Sequence, residues 1–304
     1  NSDNAKSMID KFHLGGARYL SKDSKTVHRF LNDLQKNSKI PMLIAANTDS
    51  GADGAISDGT YISTAAMAEA SGNITNAHDA GYVAGREATA IGCNWTFNPI
   101  VDILGEWRNT IVNNRAFGKD PEVVLKHARA YVKGVQKSNM LVCAKHFPGD
   151  GVIERDQHLV LGVNELSCDE WDKSFGKVYK ELIDDGIETV MVGHIALPEY
   201  SYKLNPDLTY QDILPASLSV ELLDTLLKEK LGFNGLVVTD ASHMVGIAAA
   251  MEREKAVPTT IASGCDMFLF FNDPEEDFEF MLNGYKNGII TEERLLDALR
   301  RILG

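Results

Sequence analysis

Seven short apolar runs recur along the chain, at residues 16–20, 41–46, 92–97, 140–144, 189–193, 235–239 and 266–271. Each is five or six residues long, and most are rich in Val, Ile, Leu or Met. A half-buried strand alternates apolar with polar residues. A run that is apolar throughout suits a strand covered on both faces, as in a parallel sheet. Between the runs lie helical patterns. Residues 121–136 carry Val123, Val124, Ala128, Val132 and Val135 at helical spacing, and residues 219–231 carry Leu222, Leu223, Leu226 and Leu227. Strand and helix in repeated alternation predict an α/β fold with right-handed crossovers.

A closed (β/α)8 barrel of the TIM type needs eight strands, and seven are recognisable. The chain opens on a helical pattern at residues 5–12, so the first strand is expected to precede Asn1 and to be missing. The closing segment RRILG stops just after the last helix. Both ends read as cuts in a longer protein, and residues 1–304 read as one catalytic barrel domain, since no repeat, low-complexity tract or linker divides them.

At 304 residues with 44% hydrophobic, the chain can bury a large core. Its net charge of -13 argues against nucleic acid and anionic membranes as partners. No apolar stretch reaches the roughly 18 residues that span a bilayer, and the polar N-terminus is no secretory signal. Cys93, Cys143, Cys168 and Cys265 are scattered, with no metal-binding spacing. Cys93 and Cys143 sit in strand-like runs, as small buried hydrophobes do. A reducing, cytoplasmic compartment is the simplest fit. Nothing in the sequence specifies an oligomeric state.

Polar residues cluster where strands end. Asn47, Thr48 and Asp49 follow the second run; Asn98, Asp102 and, further along, Arg115 follow the third. Lys145 and His146 follow the fourth, His194 the fifth, and Asp240 the sixth. In a barrel those ends converge on the face where active sites are built. Taken singly, each has a plain structural explanation: Asp240 as a helix cap, a loop Lys or Arg as solvated, a lone His as structural. Five strand ends in succession exceed what capping explains.

The segment at 145–158, KHFPGDGVIERDQH, pairs Lys145 and His146 with a Pro-Gly turn and ends in Asp156-Gln157-His158. A carboxylate two residues from a histidine can accept its ring N–H, fix the tautomer and raise its basicity. The same residues allow a metal reading through His146, Asp150, Asp156 and His158. Metal-binding histidines usually sit closer in sequence, so no metal is expected.

These motifs resemble glycoside hydrolase family 3, in its β-N-acetylhexosaminidase branch. The resemblance runs through NWTFNPIVD (94–102), NRAFG (114–118), KHFPGDGVIERDQH (145–158), GHIALP (193–198), PASLS (215–219), LGFNGLVVTDASHM (231–244) and SGCDM (263–267). It implies a glycosidase, with Asp240 as nucleophile and His158, oriented by Asp156, as acid/base. Lys145, His146 and Arg115 would grip sugar hydroxyls, with Asn47, Asp102, His194 and Met244 completing the substrate-binding set. A small carbohydrate substrate, such as terminal β-linked N-acetylglucosamine in cell-wall recycling, and no cofactor follow from the resemblance. The Asp-x-His pair separates this branch from the family's β-glucosidases. A β-glucosidase, a phosphorylase, a sugar-binding barrel without catalysis and a metal-dependent hydrolase are the rivals. One departure concerns specificity. Many members read Asp-Gln-Glu-Gly-Gly after the second run; here Asn47-Thr48-Asp49-Ser50-Gly51 stands there, and Ala52 and Asp53 replace an expected arginine.

Overall fold

The computed structural model describes residues 2–304, with side chains described from Ala5 onward. The described residues group into two compact units, one of residues 1–100 and 126–143, the other of residues 101–125 and 144–304. All seven expected strands are present, together with two further strands of two residues each.

In the first unit, β1 (Gly16–Arg18), β2 (Leu43–Ala46) and β3 (Trp95–Thr96) run parallel in that order. The register pairs Gly16 with Leu43 and Ala45 with Trp95. Leu141 extends the ladder by a parallel bridge to Trp95. The helix Ser24–Asn37 is started by Asp23, whose carboxylate accepts from the Thr26 N–H at 3.0 Å. It buries Val27, Leu31 and Leu34, one apolar stripe at helical spacing. A chain of buried polar groups then fixes the ends of β2 and β3. The Tyr131 hydroxyl lies 2.6 Å from Thr48 Oγ1 and donates to the Thr48 carbonyl at 2.8 Å, and Thr48 Oγ1 also meets Thr96 Oγ1 at 2.6 Å. Asn98 accepts from the Thr48 N–H at 2.8 Å and donates to Asp49 at 2.8 Å.

The second sheet, which apart from Cys143 belongs to the second unit, has the order β4 (Cys143–Phe147), β6 (Thr189–Val192), β8 (Leu236–Ala241) and β9 (Met267–Leu269). β6 and β8 pair in parallel from Thr189↔Leu236 to Val192↔Thr239. Every residue of β4 and β6 is buried; for β6 this is the two-sided cover that an unbroken apolar run calls for, while β4 reaches past its apolar run to bury Lys145 and His146 as well. The two extra strands, β5 (Gly162–Val163) and β7 (Ile195–Ala196), pair with each other. They are too short to leave a hydrophobic pattern. The leucine stripe at 219–231 is helical and buried as expected, but over Glu221–Lys230 it is wound as a wider π-helix, which no spacing of leucines announces.

Aromatic packing seats the loop after β4. Phe147 meets Tyr179 and Trp171 edge-on at 5.2 and 6.2 Å, and the Trp171 indole N–H donates to the Pro148 carbonyl at 2.8 Å. Gly149 has φ +128, and a Cβ there would lie 2.2 Å from the Phe175 ring. Only glycine satisfies both constraints. The four cysteines are free thiols, and Cys93, Cys143 and Cys265 are buried. No described helix is long and apolar enough to cross a membrane.

Two helices of the first unit cross at glycines. A Cβ on Gly81 would fall 2.1 Å from the Tyr131 carbonyl oxygen, and one on Gly134 2.2 Å from that of His78. The obstacles are main-chain atoms, so relief requires the helices to part. Gly134→Ala is expected to cost about 1–3 kcal/mol in urea unfolding despite alanine's better helix propensity. Lys133→Ala, at the exposed neighbouring position, should stay within about 0.5 kcal/mol. Equal effects would show that the crossing is not close-packed.

Candidate active site

The ends of β4, β6 and β8 bring together Lys145 and His146, His194, and Asp240. The Asp240 side chain is 16% exposed, and its Oδ2 stands 4.0 Å from His146 Nε2. Burial alone would raise its pKa, yet the carboxyl is held below the ordinary carboxylate value, because His146, His194, the Ala241 N–H and Lys145 favour the charged form. The Ala241 N–H reaches Asp240 Oδ1 at 2.7 Å. Asp240 is therefore an ionised carboxylate at neutral pH, open to solvent on one side.

His146 is aimed from behind. Its Nδ1 lies 2.7 Å from Asp102 Oδ2, and its main-chain N–H donates to Asp102 Oδ1 at 3.2 Å. The Asp150 N–H donates to the same Oδ1 at 2.8 Å. Asp102 is fully buried, with both oxygens engaged inside the protein. As a carboxylate it can only accept, so His146 carries a proton on Nδ1 and presents Nε2 towards Asp240. The sequence marked Asp102 as a sugar contact; the structure places it behind His146 instead.

His194 is likewise enclosed. Its Nε2 lies 3.1 Å from the Ala241 carbonyl, which only accepts, so this nitrogen holds the proton; its Nδ1, 2.8 Å from Ser217 Oγ, accepts from that hydroxyl. Burial pushes the imidazole pKa down, so at neutral pH the ring acts on Asp240 as a dipole, leaving His146 and Lys145 as the nearby groups able to supply positive charge. Both ring nitrogens of His194 are committed to protein, and the residue steadies the strand end that carries Asp240. Lys145, in β4, is 3% exposed. Arg115 closes a short 3-10 turn, Asn113–Arg115, and one guanidinium nitrogen donates to the Ile111 carbonyl at 3.3 Å. Met244 is buried, and its N–H donates to the Ala241 carbonyl at 3.1 Å. Asn47 follows β2 in the first unit.

His158 differs from these in exposure: 47% of its side chain is accessible, and 23% of that of Asp156. Asp156 Oδ1 accepts the His158 main-chain N–H at 2.7 Å and lies 2.7 Å from its Nδ1. The Asp-x-His pairing read from the sequence is thus formed. It fixes the Nδ1–H tautomer and leaves Nε2 as the outward nitrogen. The segment docks on the turn after Asp240 through the Val245 N–H, which donates to the His158 carbonyl at 3.1 Å, and the Gly246 N–H, which donates to the Gln157 carbonyl at 3.1 Å.

Several residues escaped the sequence reading. Asn109 donates one amide hydrogen-bond set to Asp150 Oδ1 at 2.7 Å and the Ile153 carbonyl at 2.8 Å. Arg253 grips Asp277 through two 2.6 Å bonds and also donates to the Ser242 carbonyl at 3.3 Å, anchoring the loop after Asp240. Ser217 lies in the PASLS motif, the one signal that could have found it. Among the described residues, no group of three or more His, Cys, Asp or Glu is placed to hold a metal ion.

Asp150 is a buried carboxyl pushed up to about 6, by burial first and by the charge of Asp102 second. Its folded pKa exceeds the ordinary 3.8, so between those values the folded state holds the proton more tightly than the unfolded state. That contribution to stability is present at low pH and is lost as pH rises towards about 6. Asp150→Asn should remove this slope. Urea unfolding of both proteins across that range is expected to show the advantage of the parent shrinking with rising pH, then levelling. Parallel curves would show that Asp150 titrates normally.

The sequence profile described as the glycosyl hydrolase family 3 N terminal domain matches residues 1–304. A β-N-acetylglucosaminidase/β-glucosidase of Cellulomonas fimi is 45% identical over 291 residues, which are 96% of this chain and 52% of that protein. A β-hexosaminidase of Chromobacterium violaceum is 32% identical over 200 residues, 66% of this chain and 53% of its own length. Among solved structures, β-glucoside phosphorylase BglX bound to 2FGlc superposes with a TM-score of 0.95 at 42% identity, over 97% of this chain and 54% of that one. A family 3 β-N-acetylglucosaminidase from Paenibacillus sp. gives 0.91 at 26% identity, over 99% and 58%. The chain spans about half the length of the curated relatives it matches. Its fold class is accordingly α/β, of the TIM-like (β/α)8 kind, and the chain belongs to glycosyl hydrolase family 3.

Proposed function

We propose that the chain is the catalytic barrel of a retaining glycosidase that removes terminal β-linked N-acetylhexosamine through a covalent glycosyl-enzyme. The observation that carries this reading is the pairing of an ionised, partly exposed Asp240 with an exposed His158 whose Nδ1 is tied to Asp156. One group can attack and the other can exchange a proton, the two functions a retaining mechanism needs.

In the first step an Asp240 oxygen bonds to the anomeric carbon as the glycosidic C–O bond breaks. His158 Nε2 gives its proton to the departing oxygen, and the Asp156 carboxylate stabilises the imidazolium before that transfer. In the second step neutral His158 Nε2 takes a proton from water. The water oxygen bonds to the anomeric carbon, and Asp240 leaves as a carboxylate. An imidazole suits both steps because its ordinary pKa, about 6.5, lies near the working pH. Lys145, Arg115 and His146 supply hydrogen bonds to ring hydroxyls and hold the sugar for in-line attack. The β-hexosaminidase names of several relatives support the N-acetylhexosaminide assignment.

A second reading is favoured by the two solved β-glucoside phosphorylase structures, at 42% and 43% identity. There the second step uses phosphate: its oxygen bonds to the anomeric carbon and Asp240 leaves, giving a glycosyl phosphate. A neutral imidazole repels the incoming anion less than a carboxylate base would. Product analysis with and without inorganic phosphate separates the two readings, glycosyl phosphate marking the second and free sugar the first.

Asp240→Asn should lower turnover of an aryl N-acetyl-β-glucosaminide by roughly a thousandfold or more while the protein stays folded. Near-parental turnover would remove Asp240 as nucleophile. His158→Ala should lose roughly 100-fold or more in kcat/KM on substrates with poor leaving groups and much less in kcat/KM on dinitrophenyl glycosides, which depart without a proton. An equal loss on both would remove His158 as the acid.

A further inference from the structure

Gln157 stands between Asp156 and His158, and nothing in the proposed reaction uses it. Its surroundings are unlike those of its neighbours. His158 is 47% exposed at the side chain, whereas Gln157 is 1% exposed. A buried primary amide is costly unless its hydrogen bonds are met. Here the Nε2 donates to Asp150 Oδ2 at 3.1 Å, and the Oε1 accepts from the His194 main-chain N–H at 3.2 Å. The Gln157 carbonyl accepts from the Gly246 N–H at 3.1 Å.

Glycines approach the same side chain. A Cβ on Gly193 would come 3.3 Å from Gln157 Oε1, one on Gly162 3.6 Å from Gln157 Cβ, and one on Gly246 2.9 Å from the Gln157 carbonyl oxygen. Gly246 leaves no room for a side chain against Gln157 and Gly193 very little, while Gly162 lies at ordinary contact distance. Each partner leads to one half of the site. Asp150 is bound through its N–H to Asp102, which aims His146 at Asp240. His194 bonds through its ring to the Ala241 carbonyl, next to the nucleophile.

We propose that Gln157 is a positioning residue: its buried side chain locks the loop bearing the acid/base His158 to the strand ends bearing Asp240, and so sets the placement of His158 Nε2 for proton transfer. This rests on the reading of His158 as the acid/base. The role needs an amide. Asp150 Oδ2 requires a donor and the His194 N–H requires an acceptor, and Gln157 supplies both from one planar group. The titratable groups facing this socket are Asp150, Asp102, His146 and His194, with His158 and Asp156 on the loop itself. Asp150, pushed up to about 6, takes a proton below that pH and then accepts the Gln157 amide less strongly.

The test compares leaving groups in three variants of the enzyme. Gln157→Ala is expected to lower kcat about tenfold to a hundredfold on aryl N-acetyl-β-glucosaminides with poor leaving groups. Its kcat/KM should be nearly unchanged on dinitrophenyl glycosides, whose departure needs no proton, while kcat and KM on those substrates should fall together because the second step still calls on His158. In Gln157→Glu the new carboxyl faces Asp150. At acid pH a proton shared between the two restores a donor, so the loss on poor leaving groups should be smaller near pH 5 than near pH 8. Thermal unfolding of each variant separates a moved loop from a damaged fold. His158→Ala runs alongside. If it shows the leaving-group dependence while Gln157→Ala loses equally on all substrates, or loses nothing, the positioning role is wrong and the acid/base reading stands. If His158→Ala itself shows no such dependence, the acid/base reading is what has failed.

Discussion

The site depends on one carboxylate that never meets solvent. Asp102, with no exposed surface, takes the His146 ring, the His146 main chain and the Asp150 main chain on its two oxygens. A buried charge is tolerated only when its lone pairs are satisfied, and these three donors satisfy it. In doing so they fold the Lys145–Asp150 turn into one shape. His146 Nε2 is then fixed facing Asp240, and Asp150 is left close enough to a charge for its own proton affinity to rise. Loss of Asp102 would release the ring and the turn together, because the same two oxygens hold both.

From there the site divides into a rigid half and an accessible half. Around Asp240 the supporting groups are buried: Lys145, His146, His194, Ser217 and Met244 each show 5% or less of their surface. Low polarisability strengthens their effect on the carboxylate, which is how a side chain in so apolar a strand stays ionised. His158 sits on a loop, its ring open to whatever group must receive or give the proton. In the proposed reaction this division holds the attacking carboxylate still while leaving group and incoming acceptor come and go. The Gln157 side chain bonds both Asp150 and the His194 main chain, the contacts on which its proposed positioning role rests.

Much of this was legible in the residues. The strands could be read because each carries a short apolar run, clearest in β6, which is buried at every position. The Asp-x-His pair could be read because its geometry is local. Other features carry no such mark. β5 and β7 have two residues each and no pattern. Asp102 could be picked out as polar at a strand end, but whether it faces ligand or another side chain depends on His146, 44 positions away. Gln157, Asn109 and Arg253 are ordinary polar residues until long-range folding sets them against carboxylates. The π-winding of Glu221–Lys230 leaves no mark either, since its four leucines would line a helix of either pitch.

The central claim is that Asp240 becomes covalently bonded to the sugar. A fluorinated N-acetylglucosaminyl or glucosyl donor with a good leaving group forms the ester quickly and hydrolyses slowly, so the intermediate accumulates. Proteolysis and mass spectrometry of the trapped protein then locate the added sugar. The account predicts one added glycosyl mass, on the peptide containing residues 236–241 and assigned by fragmentation to Asp240. A label on any other carboxylate, or rapid turnover of the donor with no label at all, would contradict it.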